Sequence, residues 1–308
     1  SVTVTNVNEP PVITSNGGGP TAAVSVAENT TAVTTVSATD VDAGQTLTFS
    51  IAGGADAARF SINASTGVLA FAVAPNFEQP TDANTDNVYV VIVQVSDGQG
   101  GTDAQTLSVT VTNVNEPPVF TSSASVSVPE NTAVATTVVA VDPEAGAVSY
   151  SLVGGADQAR FSINAATGVL SFVTAPNFEA PTDADLNNVY LVQVRAADPQ
   201  GNAVTQNVSV TITNVNEPPV ITSNGGGDTA ALSVAENTTA VTTVTATDPD
   251  AGQTLAFSVV GGADQTRFAI NSATGALTFV TAPNFEAPAD ANADNVYVAI
   301  VQVSDGQG

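Results

Sequence analysis

The chain has 308 residues, and its 29 acidic side chains against four arginines give a formal charge of −25. This charge repels nucleic acid and anionic lipid and attracts cations, so partners that carry phosphate groups are not expected. Cysteine, histidine, methionine, tryptophan and lysine are absent, which excludes thiol and imidazole chemistry and leaves only hard oxygen ligands for a metal.

The first feature along the chain is a proline-rich joint that recurs. "TNVNEPPV" stands at 112–119 and 213–220, and the same residues occur at 5–12. Two consecutive prolines remove backbone donors and fix φ, so the motif predicts a stiff linker and not a buried strand. The spacing is that of whole domains. The predicted divisions are 1–8 (terminal strand and linker of a preceding repeat), 9–115 (repeat 1), 116–216 (repeat 2) and 217–308 (repeat 3, without its last strand).

The outer repeats are more alike than either is to the middle one. Residues 1–100 align with 209–308, and both contain "SNGGG" (15–19 and 223–227), which the middle repeat lacks. This order predicts a segment cut from a longer array. An alternative is that the terminal strand 1–5 of one subunit completes the last repeat of another, so that subunits polymerise into a filament by strand exchange.

Within each repeat the patterning is that of β-strands. In the first repeat, 60–71 reads as strand, turn and strand around Thr66 and Gly67, and 87–96 and 106–113 alternate apolar and polar residues. No segment has a helical period. About seven strands in roughly 100 residues predict an all-β fold, with one Greek-key antiparallel β-sandwich in each repeat.

Acidic and amide residues recur in a fixed order, mostly at predicted strand ends. A cluster of carboxylates repels itself, whereas calcium requires six to eight oxygen ligands. The recurrence therefore predicts Ca²⁺ sites, and the alternative is an acidic solubilising surface. The five motifs in each repeat are the early Glu (Glu28, Glu130, Glu236), an acidic pair (Asp40/Asp42, Asp142/Glu144, Asp248/Asp250), "NFE" (Asn76/Glu78, Asn177/Glu179, Asn284/Glu286), a late Asp (Asp97, Asp198, Asp305) and the linker (Asn6/Asn8/Glu9, Asn113/Asn115/Glu116, Asn214/Asn216/Glu217).

These motifs together resemble the cadherin repeats, in the bacterial cadherin-like version of long surface or secreted adhesin-type proteins. "ENT" is similar to the family's early Glu motif, "DVD", "DPE" and "DPD" to its Asp-x-Asp, and "NVNE" to its linker. The stretches 59–71, 160–172 and 267–279 resemble a core motif of the family. Asn stands for Asp at the first linker and "NFE" positions, and Pro117 or Pro218 stands for an Asn, which implies weaker cation sites.

The resemblance implies that calcium lies at each joint, takes ligands from both neighbouring repeats and makes the array an extended rod. The implied ligands of the joint between repeats 1 and 2 are Glu28, Asn76, Glu78, Asn113, Asn115, Glu116, Asp142, Glu144 and Asp198. Those of the joint between repeats 2 and 3 are Glu130, Asn177, Glu179, Asn214, Asn216, Glu217, Asp248, Asp250 and Asp305. Asn6, Asn8, Glu9, Asp40, Asp42 and Asp97 would serve a preceding joint, and Glu236, Asn284 and Glu286 a following one.

Three further loops carry alternate oxygen residues, as the first half of an EF-hand loop does. They begin at Asp82, Asp183 and Asp290. No glutamate stands where the bidentate EF-hand ligand would be. A solvated turn before a strand and an additional weak calcium site both remain open.

Catalysis is not expected, and no catalytic residue is predicted. Serine and threonine have no histidine or lysine to activate them, and the glycine-rich segments have no lysine for a phosphate. The function predicted is a calcium-rigidified extracellular or cell-surface stalk or fibre segment that spaces or supports adhesion. Its partners would be calcium and neighbouring repeats, without nucleic acid or membrane insertion in this segment. The alternative is that the repeats bind directly, to like chains or to glycans.

Overall fold

A computed structural model describes residues 1–307, and nearly all of its regular structure is β-strand. Helical structure in the described residues is limited to single 3₁₀ turns at Ser15–Gly17, Ala57–Arg59, Gln158–Arg160, Ser223–Gly225 and Gln265–Arg267. None of these helices has the length and apolar character needed to span a membrane.

Repeat 1 contains nine strands. They are β1 (Val12–Ile13), β2 (Thr21–Ala27), β3 (Ala32–Thr35), β4 (Ala38–Thr39), β5 (Thr48–Gly53), β6 (Phe60–Ile62), β7 (Val68–Phe71), β8 (Val88–Ser96) and β9 (Thr102–Thr112). One sheet has the order β2-β9-β8-β5 and another β3-β7-β6, with β1 paired to β4. The predicted sandwich is confirmed.

The other repeats follow the same pattern. Repeat 2 contains β10 (Val119–Phe120), β11 (Ser125–Pro129), β12 (Val134–Thr137), β13 (Ala140–Val141), β14 (Ser149–Gly154), β15 (Phe161–Ile163), β16 (Val169–Phe172), β17 (Val189–Ala197) and β18 (Ala203–Thr213). Repeat 3 contains β19 (Val220–Ile221), β20 (Ala240–Thr243), β21 (Ala246–Thr247), β22 (Ala256–Gly261), β23 (Phe268–Ile270), β24 (Ala276–Phe279) and β25 (Ile300–Ser304).

The alternation in β8 and β9 builds the core of repeat 1. Tyr89, Val91, Val93 and Val95 are each buried to within 1% exposure on one face of β8, because successive strand residues point to opposite faces. The same face of β9 contributes Leu107, Val109 and Val111, which are equally buried. The ring of Tyr89 meets the Phe71 ring edge-on at 5.1 Å between centroids. This core holds the strand ends, and with them the acidic residues, at fixed positions.

The sheets are antiparallel with one exception in each complete repeat. β2 pairs with β9 in parallel, in the register Thr21 with Thr106 through Ala27 with Thr112. β11 pairs with β18 in the same way. Alternation predicts a strand but not the direction of its partner, so the sequence could not show this. The parallel pairing brings the end of β2 beside the end of β9, where the linker begins.

Repeat 3 has fewer strands than the other two. Residues 229–235, which match β2, form no strand, and β25 begins four residues later than its counterpart β8 does. The described residues contain no counterpart of β9, to which both segments would pair. The expectation that repeat 3 lacks its last strand stays a prediction.

The chain separates into two compact units that do not coincide with the predicted repeats. The first comprises Ser1–Thr121, Ala140–Ser149 and Ala196–Val204, and the second comprises Ser122–Val139, Tyr150–Arg195 and Thr205–Gly308. Each predicted joint between repeats therefore lies within one unit, with segments of both repeats it connects. The repeat boundaries themselves remain a prediction.

Candidate metal centres

Two groups of three glutamates have the arrangement expected of a cation site. They are Glu28 with Glu78 and Glu116, and Glu130 with Glu179 and Glu217. Within each group, one carboxylate oxygen per residue lies within 4.8 Å of those of the other two. The early Glu, the "NFE" Glu and the linker Glu are thus brought together in both units. We call them the first and second glutamate clusters.

The early Glu organises each cluster through backbone hydrogen bonds. Glu28 follows β2 and is only 1% exposed. Its carboxylate accepts hydrogen bonds from Phe77 N and from Val114 N, both at 2.8 Å. Glu130 does the same with Phe178 N at 2.8 Å and Val215 N at 2.9 Å. One buried side chain therefore holds both the "NFE" loop and the linker at the strand end.

The other glutamates leave oxygens without hydrogen bonds. Both carboxylate oxygens of Glu78, and one each of Glu116 and Glu144, are buried and have no hydrogen-bond partner among the described residues. Burial raises the pKa of Glu78, its own backbone N–H offsets part of that rise, and the neighbouring carboxylates of Glu28, Glu116 and Glu144 raise it further. An uncompensated buried carboxylate is costly. Oxygens of this type fit a hard cation such as calcium, which would supply the missing charge.

The second cluster repeats this arrangement. One carboxylate oxygen of Glu179 and one of Glu217 are buried without a hydrogen-bond partner among the described residues. Burial raises the pKa of Glu179, and Glu130, Glu217 and Asp250 contribute further. Two independent parts of the chain therefore present the same oxygen-only cluster.

The acidic residues of the following repeat face the linker instead. The amide of Asn6 donates to Asp42 at 2.6 Å, and that of Asn8 donates to Asp97 at 2.8 Å. At the next two joints, Asn115 donates to Asp198 at 2.5 Å, Asn214 to Asp250 at 2.6 Å and Asn216 to Asp305 at 2.6 Å. Backbone N–H groups of Glu9, Glu116 and Glu217 donate to Asp42, Glu144 and Asp250 at 2.9, 3.0 and 2.8 Å.

The first residue of each acidic pair lies beside its partner. Asp40 and Asp248 each accept a hydrogen bond from the backbone of the second residue, Asp42 or Asp250. Their other carboxylate oxygens are buried and have no partner among the described residues. Asp142 accepts from the backbone of Glu144 and Gly146.

The remaining predicted ligands have other surroundings. The side-chain oxygens of Asn76, Asn177 and Asn284 accept hydrogen bonds from Gln79 N, Ala180 N and Ala287 N, within their own turns. Asn113 is exposed directly after β9. Glu236 accepts a hydrogen bond from Phe285 N at 3.0 Å, but it and Glu286 are exposed. The assignment of all these residues as ligands stays a prediction.

The loops that begin at Asp82, Asp183 and Asp290 have the contacts of structural turns. The Asp82 carboxylate accepts hydrogen bonds from Asp86 N at 2.9 Å and Asn87 N at 3.2 Å. The second and third loops repeat both contacts. These carboxylates are buried and bonded to backbone, which favours the turn over the additional calcium site.

Two sets of polar residues were missed in the sequence. Asn29 and Asn131, directly after the early Glu, donate their amides to Glu116 and Glu217. Asp56, in "GGAD", is 5% exposed and accepts hydrogen bonds from Ala83 N at 2.7 Å and Val90 N at 2.8 Å. Both sets recur in every repeat, and that recurrence was the available signal.

A tandem series of β-sandwiches with glutamate clusters at the linkers is similar to the arrangement of cadherin repeats. Comparison with known families agrees: residues 22–112 match the family model described as Cadherin domain, and residues 115–211 match that described as Bacterial Ig domain. The resemblance read from the motifs is confirmed: the first repeat matches the cadherin model, and the chain is similar to cadherins.

Several cadherins are similar to this chain. Protocadherin Fat 1 of Homo sapiens is 28% identical over 286 residues, which cover 88% of this chain and 6% of that protein. Cadherin-8 of Mus musculus is 31% identical over 282 residues, which cover 82% of this chain and 34% of that protein. The crystal structure of human CDH23 EC21-23 matches with a TM-score of 0.52 and 23% identity, covering 90% of this chain and 92% of that one. The chain thus spans a small part of the first of these relatives.

Proposed function

We propose that this chain is a calcium-stabilised segment of an extracellular stalk or fibre that supports or spaces cell adhesion. The observation that carries the proposal is the pair of buried Glu78 oxygens without hydrogen bonds, close to the carboxylates of Glu28 and Glu116. Oxygen-only clusters of this kind suit calcium and lack the nitrogen and sulfur ligands that zinc and copper sites normally use. Calcium would supply the positive charge that these carboxylates lack.

The residues themselves explain how such a site would stiffen the chain. Glu28 holds the linker through Val114 N, and Glu116 lies in the linker, next to the residues that contact the following repeat. A cation shared by Glu28, Glu78 and Glu116 would fasten the linker to the preceding repeat. The repulsion among the three carboxylates would then no longer drive the linker away from the preceding repeat. The two consecutive prolines would add stiffness.

An extracellular location is part of the proposal. Extracellular calcium modules bind the ion with dissociation constants of about 10⁻⁴–10⁻³ M, far weaker than cytosolic sensors. A linker with asparagines at its first and third positions has fewer charges to attract the ion, and so suits a compartment where calcium is abundant. The similarity to cadherins is a further reason to propose a role in adhesion.

Small-angle scattering and thermal melts, each in excess calcium and in EDTA, test the proposal. We expect calcium to raise the melting midpoint and to increase the maximum dimension of the particle. A ligand at 100 times its dissociation constant stabilises the folded state by about 2.7 kcal/mol. Glu116→Ala should abolish the effect of calcium at the joint between repeats 1 and 2. Asp228→Asn alters an exposed carboxylate outside the clusters and should keep the effect of calcium. A scattering curve and a midpoint that ignore calcium in the unmodified chain would refute the proposal.

A further inference from the structure

Every linker in the chain makes the same contact with the repeat that follows it. The third linker residue, Asn8, Asn115 or Asn216, donates its amide to the late Asp, which is Asp97, Asp198 or Asp305, at 2.8, 2.5 and 2.6 Å. We call these three Asn–Asp pairs the amide clasps. In two joints the first linker residue adds a parallel contact, from Asn6 to Asp42 and from Asn214 to Asp250, both at 2.6 Å.

In the first two clasps the asparagine amide is one of three N–H groups that donate to the late Asp. A carboxylate offers about four acceptor positions. One Asp97 oxygen accepts from Gln99 N at 2.7 Å and Gly101 N at 3.0 Å, and the other from Asn8 at 2.8 Å and again from Gly101 N at 3.1 Å. Asp198 likewise accepts from Gly201 N, Asn202 N and Asn115. The charge of the late Asp is therefore compensated by N–H groups that the protein itself supplies.

In two of the three clasps a second hydrogen bond sets the direction of the asparagine amide. Gln45 donates its side-chain amide to the Asn8 oxygen at 2.7 Å, and Gln253 donates to the Asn216 oxygen at 2.8 Å. With its oxygen facing a donor, each asparagine must present its NH₂ group to the late Asp. An aspartate in place of this asparagine would have no N–H group to donate to the late Asp, and its negative charge would repel the late Asp.

The glutamate clusters contrast with the clasps. Glu78 has both oxygens buried without a partner, whereas Asp97 has four hydrogen-bond contacts. We propose that each joint has two halves: a cation at the glutamate cluster fastens the linker to the preceding repeat, and an amide clasp, which needs no cation, fastens it to the late Asp of the following repeat. The late Asp is then not a cation ligand. The cation half rests on the proposed calcium site; the clasp half does not depend on it.

The experiment uses the whole chain and two substitutions at neighbouring linker positions. Asn115→Ala removes the clasp and keeps the glutamate cluster; Glu116→Gln does the reverse. In EDTA we expect Asn115→Ala to lower the melting midpoint by about 3–12 °C, because a hydrogen bond to a charged group is lost, and Glu116→Gln not to lower it. In isothermal titration with calcium, Asn115→Ala should bind the same number of ions as the unmodified chain. Glu116→Gln should lose the ions of the joint between repeats 1 and 2.

The late Asp is tested directly with Asp198→Asn, which retains the shape of the side chain. We expect the calcium stoichiometry to be unchanged and the affinity to change less than twofold. Loss of an ion on Asp198→Asn, or an Asn115→Ala midpoint in EDTA equal to that of the unmodified chain, would overturn the two-half joint. If the unmodified chain binds no calcium, the proposed function fails, and the EDTA melts still decide whether the clasps exist.

Discussion

Glu78 occupies the least favourable environment for a negative charge in the first cluster. Glu28 compensates its burial with two backbone N–H donors, and Glu116 accepts one amide hydrogen bond from Asn29. Glu78 has neither, and its pKa is raised by burial and by its acidic neighbours. Its charge is thus the one that depends most on a bound cation.

Glu78→Gln should therefore have opposite effects with and without calcium. In EDTA the variant should melt higher than the unmodified chain, because a repulsive charge is removed. In excess calcium it should melt lower by roughly 2–4 °C for each kcal/mol of lost binding energy. Differential scanning calorimetry in both buffers measures this, with Asp228→Asn as the control for the loss of one exposed charge. The same sign in both buffers would contradict the assignment.

The pH dependence of stability follows from the same shifts. The folded-state pKa values of Glu78 and Glu179 lie above the ordinary 4.5, so the folded state binds more protons and becomes more stable as pH falls through those values. Asp42 and Asp97 have pKa values below 3.8, since Asn6 and Asn8 donate hydrogen bonds to them. Their contribution is present above the unfolded value and is lost as pH falls through the folded one.

In EDTA we accordingly expect the melting midpoint to rise as pH is lowered from neutral towards 4.5, and to fall below 3.8. In calcium the rise should disappear, because protons compete with the ion for the same oxygens. Melts of the Glu78→Gln, Glu179→Gln double variant in EDTA supply the control, in which the rise should be lost. A monotonic fall in the unmodified chain in EDTA would show that other carboxylates dominate.

At the scale of elements, the turn between β6 and β7 depends on one backbone conformation. Gly67 has φ of +70°, and a Cβ there would collide with the carbonyl oxygen of Val36. Asn63 closes the same turn by accepting hydrogen bonds from Ser65 N and Thr66 N, both at 3.0 Å. The turn thus joins two strands of one sheet and contacts the neighbouring β3 segment.

Gly67→Ala should destabilise the first unit by at least about 2 kcal/mol, from positive-φ strain together with the collision. Gly44→Ala is the matched control, since Gly44 has φ of +89° and no atom within 4 Å of an added Cβ. It should cost about 1 kcal/mol, from the backbone conformation alone. Urea unfolding of both variants gives the comparison, and equal losses would mean that the contact with Val36 can relax.

The buried Asp56 connects two further elements. It accepts hydrogen bonds from Ala83 N in the Asp82 loop and from Val90 N in β8. Asp56→Asn replaces one acceptor oxygen by a donor that faces an N–H group, and should cost about 2 kcal/mol or more. The loss should be the same in calcium and in EDTA, because the loop is a structural turn.

Asp86→Asn is the control for Asp56→Asn, since Asn187 occupies the equivalent position in repeat 2 and accepts the same backbone hydrogen bond at 2.7 Å. Its unfolding free energy should be nearly that of the unmodified chain. If calcium reduced the loss of stability in Asp56→Asn but did not stabilise Asp86→Asn, the result would instead indicate a cation in the loop.

At the scale of the whole molecule, charge is the dominant property. A net charge of −25 on 308 residues opposes the compact state through self-repulsion, and dissolved salt screens it. In EDTA, raising sodium chloride from about 0.05 M to about 0.5 M should raise the melting midpoint. In excess calcium the rise should be smaller, because the clusters are already neutralised. An equal salt effect in both buffers would place the destabilising repulsion outside the glutamate clusters.

The sequence by itself determined the repeat organisation, the all-β class and the faces of β8 and β9, because alternation and proline-rich linkers act through local geometry. It also named Glu28, Glu78 and Glu116 as candidates for one site. Only the tertiary structure decided that these three converge, with unsatisfied oxygens on Glu78 and Glu116, while Asp97 and Asp198 each accept hydrogen bonds from three N–H groups. The pairing of β2 with β9 and the amide partners of the late Asp join residues almost 90 positions apart, and no local pattern records which side-chain atoms will face each other over that separation.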